Sequence, residues 1–138
     1  MSDPRVPDEA VPARVTVMLG SDERRLAHVI GRHDSGVLVT DRRLFAWRVN
    51  GVSPPLELAA IDRIQHDRGP ADALLVVPRA AAHVPLVVMV APDERAAGEA
   101  LVAVVRDAVI ARAQAGGSLV AAEEGEFMGI WAIRFRRG

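Results

Sequence analysis

Chemistry in this chain would have to come from a small set of side chains. His28, His33, His66 and His83 are the histidines, and Ser2, Ser21, Ser35, Ser53 and Ser118 are the serines. No histidine stands at metal-ligand spacing from another, and none belongs to a helical H-E-x-x-H pattern, so no metal site is expected. The serines lack the strand-to-helix glycine context of a nucleophile elbow, no glycine-rich phosphate loop occurs, and Asp62, Asp67 and Asp72 form no recognisable acid pair. His66-Asp67 looks like a base with its orienting acid, yet neighbours on a strand point to opposite faces. The sequence therefore predicts no enzyme and no cofactor, with a small catalytic barrel using an unrecognised His-Asp site as the weakest reading.

The chain has no cysteine, which excludes disulfides, thiolate metal sites and a cysteine nucleophile. All 17 basic residues are arginine, a usage that by itself carries no functional weight. Thr40-Asp41-Arg42-Arg43 lies between two apolar runs in GVLVTDRRLFAWRVNG, and turn chemistry accounts for each of the four without a ligand. The alternative is an anion clamp in which Arg42 or Arg43 is joined in space by Arg24, Arg25 or Arg32 to hold a phosphate or a lipid headgroup bidentately.

Seventeen basic and 18 acidic residues are interspersed along 138, leaving a formal net charge of -1. Such a balance produces no field that attracts a polyanion, so nucleic-acid binding is disfavoured. At 50% hydrophobic and 25% charged the composition is that of a globular chain able to bury one core. The opening residues, MSDPRVPDEAVPARV, lack the apolar core of a signal peptide or anchor, and a cytoplasmic location is expected.

The elements that must position these residues are short. Residues 1–12, rich in proline and acids, read as a flexible leader. RVTVML and RRLAHVIG read as two strands, GRHDSG as a hairpin loop, and 37–40 and 44–49 as strands joined by the quartet. Asn50-Gly51 marks a turn, LELAAIDRI a strand interrupted by a bulge or a change of element, and ALLVVP and HVPLVVMV two more buried strands. The texture changes at Ala91. PDERAAGEALVAVVRDAVIARAQAGG predicts a helix over about 92–115, with Ala97, Ala100, Leu101, Val104, Val105, Ala108 and Val109 on its apolar face.

The tail, 118–138, reads as a β extension appended to a domain over 13–117. Glu124-Gly125-Glu126 is expected to turn a hairpin, and Phe127, Trp131, Ile133 and Phe135 alternate with residues that are also largely apolar, as in a strand covered on both sides. On the helix, Val102, Ala103 and Ile110 interrupt the polar side. A candidate partner or oligomer interface therefore comprises Val102, Arg106, Ile110, Phe127, Ile130, Trp131, Ile133 and Phe135.

Six or seven short hairpinned strands followed by one amphipathic helix is the order of a pleckstrin-homology-like barrel. GVLVTDRRLFAWRV resembles the L-x-x-T-D-x-R-L signature of bacterial pleckstrin-homology-like and GRAM-like domains, and LELAAIDRI resembles their later strand; the likeness spans roughly Asp22 to Ala115. The resemblance implies a mainly β fold of about seven antiparallel strands capped by the helix, and a propensity to assemble into symmetric rings. Phosphoinositide recognition is not implied, because the first hairpin loop offers only Arg32 and His33 beside Asp34. The expected function is a non-enzymatic interaction or scaffolding module, a homo-oligomer joined through its C-terminal strand or helix face. Main-chain pairing of an added strand is one way to join it.

Overall fold

The structure, a computed structural model, describes residues 10–137. It is mainly β with one long helix. The first sheet contains β1 (Arg25–Ile30), β2 (Gly36–Thr40), β3 (Arg43–Arg48) and β4 (Gly51–Val52) in that order, with β5 (Leu56–Glu57) also on β3. After a 3-10 turn at Leu58–Ala60, β6 (Ile61–Asp67), β7 (Ala73–Pro78) and β8 (Leu86–Met89) enter a second antiparallel sheet. The hairpin of β9 (Val120–Phe127) and β10 (Ile130–Arg137) completes it in the order β8-β7-β6-β10-β9.

The two sheets do not close into a barrel. They are stitched at one corner, where the Arg32 N–H donates to the Met89 carbonyl at 2.8 Å and the Ala91 N–H to that of Ile30 at 3.2 Å. The long helix, Arg95–Ala115, packs against both sheets. Its start is fixed from outside: the Glu94 carboxylate accepts the Ile30 N–H at 3.1 Å, so the helix begins where β1 ends. Burial is wider than the expected stripe, taking in Gly98 and Val102 while Ala100 stays exposed. Val102 is thus a core residue and no part of a polar side.

Alternation along the strands sorts the core. Val37, Val39, Leu44, Ile61, Ile64, Leu74, Val76, Val88, Ile133 and Phe135 point inward with Leu101, Val105 and Val109 of the helix, and all are nearly inaccessible. A second cluster covers the outer face of the first sheet, where Leu38, Phe45 and Trp47 meet Val11 and Val15. That makes β2 buried along its whole length on both faces, which explains its uninterrupted apolar run.

Two expectations are corrected. The segment expected as a first strand holds the helical turn α1 (Ala13–Thr16); Val15 within it and Val11 just before it both pack on the first sheet, while Val17 is exposed. Residues 1–9 of the expected leader lie outside the described residues. The hairpin turn of the tail is not at Glu124-Gly125-Glu126 but at Met128-Gly129, whose φ values of 52° and 83° both lie in the left-handed region, as a two-residue hairpin turn requires. The change of element expected in LELAAIDRI is the 3-10 turn, followed by a bulge between Ile61 and Arg63.

Candidate functional site

The quartet at 40–43 is held together by its own neighbourhood. The buried Thr40 hydroxyl donates to the Glu23 carboxylate at 2.5 Å and accepts the N–H groups of Arg42 and Arg43 at 3.1 and 3.0 Å. Arg43 donates to the same carboxylate through Nε and Nη2 at 3.1 and 2.6 Å, reaches the Met18 carbonyl at 3.0 Å, and lies 4.8 Å over the Phe45 ring. Burial would raise the Glu23 pKa, but the hydrogen bonds from Arg43, Thr40 and the Gly20 N–H outweigh it and hold the carboxyl at about 2. Asp41 and Arg24 exchange hydrogen bonds, Asp41 Oδ1 accepting from Arg24 N at 2.9 Å and Asp41 N donating to Arg24 O at 3.0 Å. Arg42 pairs with Asp22 at 2.6 Å, and Arg32 donates to the Val90 carbonyl at 3.3 Å. Arg42 and Arg43 are therefore engaged by carboxylates of the segment just before β1, which leaves the clamp expected of Arg24, Arg25, Arg32, Arg42 and Arg43 short of its two central members.

Sequence reasoning missed a second polar cluster. His66, fully buried on β6, places Nε2 2.7 Å from Asp72 Oδ1, while Asp67 turns outward and accepts the Gly69 N–H at 2.9 Å. Asp72 occupies a left-handed backbone position at φ 44° and also faces Arg95, at 3.5 Å. Gly98 lets the helix approach, since a β-carbon there would lie 3.3 Å from His66 Cε1. The carboxylate accepts, so Nε2 carries the proton, and Nδ1 has no partner among the described residues. A substrate cannot reach an imidazole with no accessible surface, so the pair ties the sheet to the 69–72 turn. Among the described residues no group of three or more His, Asp or Glu is placed to hold a metal ion.

The residues expected at an interface divide sharply. Val102, Ile133 and Phe135 are core, and Trp131 is half-buried against that core. Ile110 is half-buried on the helix, and Arg106 pairs with Asp107 and Glu124 at 2.9 and 2.5 Å, which raises its pKa. Phe127 and Ile130 behave differently. They lie at one end of the second sheet's outer face, which no described element covers.

The register makes that face readable row by row. Met89, Ala73, Asp67, Ile130 and Phe127 stand side by side across all five strands, and Val87, Leu75, Gln65, Ala132 and Gly125 form the next row. A third row, Val77, Arg63, Arg134 and Glu123, carries charge. Two adjacent rows thus hold a single formal charge, Asp67, and their exposed members include Phe127 at 75%, Val87 at 44% and Met89 at 38%. Met128, at 85%, extends the apolar edge into the turn.

A comparison with known proteins finds no matching family model, no matching curated protein and no matching solved structure. No described helix is long and apolar enough to cross a membrane.

Proposed function

We propose that the chain is a non-enzymatic, pleckstrin-homology-like interaction module that pairs with a second copy of itself through the outer face of its second sheet. The observation that carries this reading is the pair of nearly uncharged rows across β8, β7, β6, β10 and β9, left open while the opposite outer face is covered by α1. Two sheets pack readily face to face, and a two-fold axis through those rows would set apolar against apolar and leave Arg63, Arg134 and Glu123 on a polar rim. Support for the pleckstrin-homology-like part comes from the element order: two hairpinned antiparallel sheets, then one helix packed on both, with the C-terminal hairpin as an addition.

Edge pairing is the weaker route to the same partner. Along β9 the free edge runs through Glu123, Glu124 and Glu126, and two such edges side by side would align like charges, a device that discourages strand addition. Nor can the interface be tested by removing the tail, because Ile133 and Phe135 would leave the core with it. The test is solution mass across a concentration series for the full chain and for Phe127→Glu. A dimer whose dissociation shifts to higher concentration in the variant supports the reading; a monomer throughout overturns it.

A further inference from the structure

A pocket of about 480 Å³ opens at the C-terminal end of the long helix. Arg79 follows β7, Arg112 lies in the last turn of the helix and Arg137 ends β10, so three distant parts of the chain each line one cavity with an arginine. Arg79 and Arg137 both donate to the Ala59 carbonyl, at 3.4 and 3.0 Å. Among the described residues none of the three pairs with a carboxylate within ion-pair distance, whereas Arg42, Arg43, Arg68, Arg106 and Arg136 all do.

Placing like charges together is unfavourable and needs compensation. The cost is visible at Arg137, whose pKa is lowered first by burial and then by Arg79, with Asp62 opposing weakly. Asp62 lines an adjoining hollow that shares Arg79 and Arg137. The helix end cannot neutralise the site: its terminal dipole amounts to roughly half a negative charge. The carbonyls of Arg112, Ala113 and Gln114 are also already occupied by the N–H groups of Gly116, Gly117 and Ser118. One wall is apolar, formed by Val109, Ala113 and Val120, with Leu119 exposed at the rim.

We propose that this pocket binds a small ligand bearing a phosphate-type dianion, a phosphomonoester or diphosphate, next to a short apolar group. Guanidinium groups recognise phosphate oxygens through paired N–H donors, and three of them supply more donors than one carboxylate could use. Arg112, exposed and with no hydrogen-bond partner among the described residues, is free to close on the ligand, while Arg137 is pre-set by its hold on Ala59.

The probe is inorganic pyrophosphate, added to the full chain against sodium chloride of equal ionic strength. Pyrophosphate is expected to raise the melting temperature, and Arg112→Gln to weaken its affinity about tenfold, one charge-assisted hydrogen bond, without changing the melting temperature of the free protein. Arg79→Gln serves as the second variant. Co-sedimentation with phosphatidylcholine vesicles, with and without phosphatidic acid, separates a lipid headgroup from a free phosphate; dependence on Arg112 in either arm supports the shared chemistry. The proposal is overturned if neither pyrophosphate nor phosphatidic acid binds, or if binding is unchanged in both variants.

Discussion

The carboxylate of Glu23 and the guanidinium of Arg43 form a two-point contact, Nε and Nη2 at 3.1 and 2.6 Å, on a glutamate side chain that is only 2% exposed. This contact closes the loop between the N-terminal segment and the turn at 40–43, and it changes the meaning of that turn. Arg43→Ala strands a buried carboxylate and is expected to cost about 3 kcal/mol in chemical denaturation. Arg42→Ala removes only an exposed pair and is expected to cost under about 1 kcal/mol.

The same pair sets an acid sensitivity. Glu23 titrates near 4.5 when unfolded and at about 2 when folded, so the unfolded chain binds its proton first. Its contribution is complete above about pH 4.5 and is lost as pH falls towards about 2. Urea midpoints measured across that window should fall more steeply for the parent chain than for Glu23→Gln, which has no carboxyl to titrate. Parallel curves would show that the contact is not formed in solution.

Gly36 touches Trp47 more closely than any side chain could. A β-carbon at this position would overlap the indole ring and lie 2.7 Å from the Val29 carbonyl. With Trp47 only 1% exposed and unable to move aside, Gly36→Ala is expected to lower stability by about 3 kcal/mol. Gly125→Ala, with open space at its β-carbon, serves as the control and should be near neutral.

Asp72 has two roles, acceptor for His66 and host of a left-handed backbone. Asp72→Ala forfeits both and is expected to cost about 3 kcal/mol. Asp72→Asn keeps an acceptor and tolerates positive φ, so it should lose less than half as much. Equal losses would show that the backbone position is unimportant and the charge is everything.

Much of this architecture was readable from residue patterns because it is local. Alternation in 24–30 and short apolar, β-branched runs at 37–40, 44–49 and 73–78 marked strands that the structure places at 25–30, 36–40, 43–48 and 73–78, and the helix was marked by its apolar stripe and by Gly116-Gly117. What the patterns could not supply depends on contacts distant in sequence. Val15 forms a helical turn because Val11 and Val15 together cover Phe45 and Trp47, a demand no local propensity expresses. The tail keeps its strand through Glu124 and Glu126 because Arg106 and Arg68 receive those glutamates, so a stretch composed like a turn stays extended. His66 meets an aspartate six residues away across a β turn, where strand alternation only excluded Asp67. The pocket of Arg79, Arg112 and Arg137 joins residues with no shared motif, and nothing in their spacing announces it.

The turn at Met128-Gly129 is a site where sequence and backbone disagree. Methionine at φ 52° pays for a conformation that asparagine adopts readily. Met128→Asn is expected to stabilise the chain by about 1 kcal/mol, measured by thermal or urea unfolding. A loss of stability would show that Met128 makes a contact worth more than its strain.

Self-association through one named face is the central claim, and it is tested most directly by the solution mass of three chains at matched concentration. Val87→Glu puts a charge in the middle row of the outer face, whereas Val49→Glu puts the same charge on a side chain 70% exposed beyond the end of β3. The account predicts a dimer for the parent, a monomer for Val87→Glu and a dimer for Val49→Glu, all with similar melting temperatures. A monomeric parent, or two variants of equal mass, would contradict it.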